Sequence, residues 1–171
     1  QVDGRMSFQP ESLRAAEDLI DRCRALGWKL ALAESCTGGL IGAYLTEIPG
    51  ASAVVDRGLV VYSNAAKTEL LGLPPALIAT HGAVSEEVAR AMAQGALDTS
   101  PADLAISCTG IAGPGGGSKQ KPVGRVYMAA ALRSGKIRHR QRDYGAIGRG
   151  PVRQATVLDA LKLALELIKI N

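Results

Sequence analysis

Ser35, Lys67 and Tyr62 are residue types that together can make a nucleophile with its own base. A serine hydroxyl is scarcely ionised at neutral pH, so it needs a base before it can attack a carbonyl. The two histidines, His81 and His139, stand far apart in sequence, and neither has a neighbouring ligand cluster or an evident place beside Ser35. Lys67 can serve instead if partial burial, or a neighbouring cation such as Arg149, holds its amine neutral. Tyr62 could then relay the proton or orient the lysine. Backbone amides at the Ser35 corner or at Thr109-Gly110 are candidates for an oxyanion hole, a contribution worth about 3 to 4 kcal/mol per donor in other enzymes. The chemistry that follows is amide or ester hydrolysis of Ser-Lys type. Cys36 is the competing nucleophile, and intrinsically the better one. Without an assigned histidine partner it reads instead as a small buried residue just after a strand.

Positioning these groups requires a strand-to-helix corner. Leu30-Ala31-Leu32-Ala33 is a short apolar run, and Leu40, Ile41, Tyr44 and Leu45 recur at helical spacing, so Ser35 lies between a strand and a helix running to about residue 47. The first N–H groups of such a helix lack internal partners and carry partial positive charge, which suits a phosphate or a developing oxyanion. Gly38 and Gly39 permit close approach to the backbone. The plain alternative is a turn in which Ser35 or Thr37 is merely the N-cap.

The rest of the chain supplies the remaining elements. Residues 11–26 carry Leu13, Ala16, Leu19, Ile20 and Cys23 on one helical face, with Gly27 as the stop. Leu59-Val60-Val61-Tyr62 marks a second strand, after which Ser63 or Asn64 can cap a helix over 65–71. This sets Tyr62 at a strand end and Lys67 one turn into the helix, at the sheet edge where ligands of open α/β sheets gather. Residues 75–80 suggest a further helical turn, followed by a loop holding His81, which could touch a ligand but reads first as structural. Ser85 with Glu86 and Glu87 looks like the start of a helix to about residue 97. A strand over 103–108 opens onto a loop with six glycines between Gly110 and Gly124, which lacks both the P-loop and the dinucleotide fingerprint. Strands over 126–132 and 137–144 form a hairpin, and residues 151–168 form a last amphipathic helix with Arg149 and Arg153 near its start.

This order predicts an α/β fold: a three-layer α/β/α domain with a mixed, mostly parallel sheet, because the late hairpin adds antiparallel pairing. Residues 1–10 read as a disordered or non-native tail, with Met6 as a natural start, and residues 11–171 as one domain. The 171 residues are 47% hydrophobic and 21% charged, and no apolar run approaches the roughly 20 residues needed to span a membrane. Three cysteines, an odd number without a Cys-x-x-Cys pair, argue against a disulfide framework or zinc cage and favour a reducing cytoplasm. The net charge of +4 is concentrated after residue 118, in Lys119, Lys121, Arg125, Arg133, Lys136, Arg138, Arg140, Arg142, Arg149 and Arg153. That excess favours an anionic partner. A small phosphorylated ligand accounts for it as well as nucleic acid does, since only 4% of residues are aromatic and no groove-reading motif is present.

Six motifs also carry a family resemblance. They are Ala33-Glu34-Ser35-Cys36-Thr37-Gly38-Gly39; Tyr62-Ser63-Asn64 with Lys67; His81-Gly82-Ala83-Val84-Ser85; Thr109-Gly110-Ile111-Ala112-Gly113-Pro114; Lys121-Pro122-Val123-Gly124; and Arg149 with Val152-Arg153. In this order they resemble the CinA C-terminal-domain family, whose standalone members are nicotinamide-nucleotide amidohydrolases. The resemblance implies deamidation of nicotinamide mononucleotide to nicotinate mononucleotide and ammonia in pyridine-nucleotide salvage, with no metal or other cofactor. It implies Ser35 as nucleophile, Lys67 as general base and Tyr62 as third member of the site. Cys36, Thr37, Gly38, Gly39, Asn64, Thr109, Gly110 and Arg149 are implied as substrate-binding positions, and self-association into a homo-oligomer is implied as well. The sequence departs from the family at Gly148, where members often have Asp, and it reads as a standalone member, expected to be without the N-terminal domain of longer ones. A nucleotide-binding or regulatory module that keeps the pocket without useful catalysis is the alternative.

Overall fold

The structure is a computed structural model that describes residues 7–170. Helix α1 (Pro10–Leu26) starts with proline at its first turn, where the missing N–H costs nothing, and ends on Gly27 in the left-handed region. Strand β1 (Leu30–Glu34) is buried throughout and leads to the seven-residue α2 (Leu40–Thr46). A 3-10 turn at Ala51–Ala53 precedes β2 (Val55–Val60), and α3 (Asn64–Leu71), α4 (Pro75–His81) and α5 (Glu86–Asp98) follow. Strands β3 (Leu104–Gly110), β4 (Arg125–Leu132) and β5 (Ile137–Asp143) complete the sheet before α6 (Arg149–Lys169).

The sheet order is β2-β1-β3-β4-β5. Strand β1 runs parallel to both β2 and β3, while β4 is antiparallel to β3 and to β5. The fold is therefore the expected mixed α/β type. Four of the five strands point the same way, though the pairings divide evenly between two parallel and two antiparallel.

Period-two alternation sends each strand's side chains into two different cores. Leu30 and Leu32 of β1, Leu104 and Ile106 of β3, and Val126, Met128 and Ala130 of β4 join α1, α2 and α6 on one face. Ala31, Ala33, Ala105, Ala129 and Ala131 turn to the other, against α3, α4 and α5. Large side chains fill the first face, whereas alanines on the second let α5 lie close to the sheet. Truncating a fully buried leucine such as Leu32 to alanine costs about 2 to 5 kcal/mol.

Two expectations change. The N-terminal tail shortens: Phe8 packs edge-on against Tyr44, the N–H of Gln9 donates to the Tyr44 hydroxyl at 2.8 Å, and Pro10 already opens α1. Residues 1–6, and with them Met6, lie outside the described residues. The cap of the helix after Ser35 also changes: α2 starts at Leu40, the first apolar residue of the helical spacing, with Gly39 as N-cap at φ 98°. Neither Ser35 nor Thr37 is the cap.

Candidate active site

Three parallel strands end at one edge of the sheet, and their ends carry the reactive groups. Glu34, the last residue of β1, sits between Val60 of β2 and Cys108 of β3. Ser35 therefore emerges at the centre of that edge, and its N–H still bonds to the Cys108 carbonyl at 3.1 Å. Val61 and Tyr62 leave the end of β2 beside it, and the N–H of Val61 donates to the Glu34 carbonyl. Ser63 then caps α3, its hydroxyl accepting from the N–H of Ala66 at 3.0 Å, an arrangement worth about 1 kcal/mol. That cap fixes the helix phase, which turns Lys67 inward.

Lys67 is 1% exposed. Its Nζ lies 3.2 Å from Ser35 Oγ, 3.0 Å from the carbonyl of Val61 and 3.3 Å from the carbonyl of Tyr62. These partners satisfy either protonation state: an ammonium donates to all three, and a neutral amine donates to both carbonyls while its lone pair accepts the Ser35 O–H. Burial lowers the lysine pKa from its ordinary value of 10.5 and so favours the amine. Arg149 is not the cause, since its guanidinium donates elsewhere: Nη1 to the Gly113 carbonyl at 2.9 Å and Nη2 to the Tyr62 hydroxyl at 2.8 Å. Tyr62 thus meets Lys67 through its backbone carbonyl. Its phenol is at the rim, and the residue is 60% exposed.

A cleft of about 260 Å³ opens onto Ser35. Its lining includes Cys36, Tyr62, Asn64, Lys67, Thr109, Gly110 and Arg149, which the fold brings together from β1, β2, β3, α3 and α6. Thr109 is 1% exposed and donates its hydroxyl to the Ala83 carbonyl at 2.8 Å, which draws the α4–α5 loop against the cleft. At Gly110 a Cβ would come within 2.6 Å of Val126 Cγ2, so the strand end admits no larger residue there. The N–H of Ile111 is committed to the Arg125 carbonyl.

Thr37, Gly38 and Gly39 are not part of this lining. Thr37 is fully buried beneath the corner, and Gly38 and Gly39 border a separate hollow beside Arg153. Cys36 is 5% exposed, and the Cys108 sulfur beside it together with burial raises its thiol pKa well above the ordinary value. That holds it as an inert thiol. His81 closes α4 outside the cleft, with Nδ1 3.6 Å from Glu87 Oε1. Larger hollows lie between the starts of α1 and α6, about 690 Å³, and between α3 and α4, about 440 Å³, but neither holds a paired nucleophile and base. Among the described residues no group of three or more His, Cys, Asp and Glu side chains is placed to hold a metal, and no helix is long and apolar enough to cross a membrane.

Glu34 is the residue that motif reading passed over. Its carboxylate is 2% exposed and accepts from Thr37 Oγ1 at 2.5 Å, from the N–H of Ile41 at 2.9 Å and from the N–H of Gly42 at 3.0 Å. Its position just before the serine was visible in the sequence, but its bonds eight residues ahead were not. On the outer side of the same turn, Arg153 donates to the carbonyls of Cys36 and Thr37 at 3.1 and 3.0 Å.

Relatives share this architecture. The model of the CinA C-terminal domain matches residues 12–168. A CinA-like protein of Synechococcus sp. (strain CC9902) is 50% identical over 169 residues, 98% of this chain but 40% of that protein. One from Anaeromyxobacter sp. (strain K) is 50% identical over 134 residues, covering 78% of this chain and 33% of that protein. The chain thus spans well under half the length of these curated relatives. Among solved structures, the competence/damage inducible protein CihA of Agrobacterium tumefaciens superposes with a TM-score of 0.93 at 48% identity, covering 95% of this chain and 99% of that one. A CinA superfamily protein of Klebsiella pneumoniae superposes with a TM-score of 0.86 at 33% identity, covering 92% and 98%. With the family model matched over residues 12–168 and both sequence identity and fold shared over nearly its whole length, the chain belongs to the CinA C-terminal domain family.

Proposed function

We propose that the cleft is the active site of a nicotinamide-nucleotide amidohydrolase that converts nicotinamide mononucleotide to nicotinate mononucleotide and ammonia. The observation that carries this reading is the buried contact between Lys67 Nζ and Ser35 Oγ at the cleft floor. Neutral Lys67 takes the hydroxyl proton as Ser35 Oγ bonds to the carboxamide carbon, and the carbonyl oxygen becomes an oxyanion. The protonated lysine then gives that proton to the leaving nitrogen as the C–N bond breaks. Ammonia departs and an ester remains on Ser35. A water molecule attacks the ester carbon as Lys67 takes one of its protons, and return of that proton to Ser35 Oγ as the C–O bond breaks releases the carboxylic acid, which gives up its own proton to solvent to become the carboxylate. Lys67 begins and ends the cycle as the neutral amine, which suits a base buried among carbonyls.

The substrate comes from the family resemblance, and the rim is compatible with it. Arg149 supplies a guanidinium at the mouth, suited to a phosphate, and Asn64 adds a side chain able to donate and to accept. Three free, buried thiols fit a protein of the reducing cytoplasm, and self-association remains part of the family-based proposal. The deciding assay is ammonia release from nicotinamide mononucleotide compared with nicotinamide riboside and nicotinamide. Release that requires the phosphate supports the reading. Calorimetric binding of the mononucleotide by folded protein with no ammonia over hours would instead make this a nucleotide-binding module.

A further inference from the structure

We propose that Glu34 is the positioning residue that sets the pose of Ser35. A buried carboxylate is costly unless its oxygens are satisfied, and every donor to this one comes from the turn and helix that immediately follow the nucleophile. Helix α2 has no side-chain cap at Gly39. Two N–H groups of its first turn go instead to an acceptor at the end of β1, so the helix start is drawn back to the strand and residues 35–38 must fold into a tight loop between them. Within that loop the N–H of Gly38 donates to the Ser35 carbonyl at 3.0 Å, and the Ser35 N–H is held by Cys108. Thr37 links the two sides, its hydroxyl lying 2.5 Å from Glu34 Oε1 and 3.0 Å from Cys108 Sγ. The placement of Ser35 Oγ against Lys67 depends on these bonds, although Glu34 does not line the cleft. Nucleophile placement is steep in rate, a shift of about 1 Å costing about a hundredfold.

Replacing the carboxylate by an amide tests this with little change in volume. Glu34→Gln keeps an acceptor for Thr37 and Ile41 but turns an N–H₂ toward the N–H of Gly42. Two rates are read on folded protein: ammonia release from nicotinamide mononucleotide, and covalent capture of Ser35 by a fluorophosphonate. In the capture step the Oγ–P bond forms, fluoride leaves and Lys67 takes the proton. The turnover arm rests on the amidohydrolase reading, whereas the capture arm rests only on Ser35 as nucleophile. Glu34→Gln is expected to lower kcat per labelled site and the capture rate together by about a hundredfold, with KM changed less than about threefold. Thr37→Val is expected to lose about tenfold, the worth of one hydrogen bond, and Thr37→Ser to recover it.

A fully labelled Glu34→Gln protein with wild-type kcat and capture rate overturns the proposal. So does a smaller labelled fraction whose remaining sites turn over at the wild-type rate, since Glu34 would then be a stabilising cap alone. If Glu34→Gln gives no cooperative melt, the Thr37→Val and Thr37→Ser pair decides by the same two rates. Wild-type protein that is captured but releases no ammonia defeats the amidohydrolase reading and leaves the capture arm to judge Glu34. Wild-type Ser35 that resists capture defeats the positioning role together with the nucleophile.

Discussion

The floor and the rim of the cleft are built in opposite ways. Ser35 and Lys67 at the floor, with Glu34 and Thr37 beneath them, are between 0% and 8% exposed and engage one another's turns through hydrogen bonds. At the rim, Tyr62 is 60% exposed, and Arg149 ties its phenol to the glycine-rich loop through Gly113. The two arginines of the first turns of α6 divide between these regions: Arg153 clamps carbonyls of the nucleophile turn, while Arg149 spans the mouth. Low dielectric and fixed geometry favour proton transfer at the floor, and hydration at the rim keeps binding reversible. Substitutions at the floor should therefore move kcat, and substitutions at the rim should move KM.

The largest break is expected from Ser35→Ala, which should lower kcat at least about a thousandfold while the fold and ligand binding persist. Calorimetric titration beside the ammonia assay checks both. Lys67→Met should follow at about a hundredfold or more, because among the described residues no His, Asp or Glu lines the cleft beside Ser35. The same substitution should raise stability near neutral pH. A lysine whose folded pKa lies below its unfolded 10.5 opposes folding at lower pH, and that penalty disappears as pH rises through 10.5. Denaturant melts at pH 7 and pH 11 should show the gain shrinking at the higher value. In the wild type, kcat/KM should climb with pH through a single pKa below 10.5 as Lys67 loses its proton.

At the rim the effects should be smaller and of a different kind. Arg149→Ala should raise KM for the mononucleotide about tenfold with kcat within about threefold, and the riboside should lose much less. Tyr62→Phe should change kcat less than about threefold, because the lysine is held by the Tyr62 carbonyl, which the substitution keeps. Steady-state kinetics on the two variants sharpens the contrast: a Tyr62→Phe loss as deep as that of Lys67→Met would bring the phenol into the proton path. Cys36→Ala should have the least effect on kcat, again within about threefold.

How much of this was legible in the sequence depended on how local the signal was. The Ser63 and Ser85 caps, the αL stop at Gly27 and the strand-end positions of Ser35 and Tyr62 follow from neighbouring residues, and each lies where the pattern placed it. The role of Glu34 is illegible because capping signals sit at the helix boundary, whereas its carboxylate reaches forward to residues 41 and 42. The basic last third was misleading for a related reason. Arg125 pairs with Asp143, Arg140 with Glu166 and Arg142 with Asp159, while Arg133 donates to carbonyls of Leu97, Ser100 and Ala102. These partners lie up to 36 residues away, so the charge read as available for an anion is largely spent on structure. Arg149 is the member of that group that lines the cleft.

The most direct test of the Ser-Lys assignment is ammonia release from nicotinamide mononucleotide by wild-type and Ser35→Ala protein, both shown to be folded, in the same assay. Release by the wild type and none above background by Ser35→Ala is the expected result, whereas a Ser35→Ala protein that releases ammonia at the wild-type rate would contradict it.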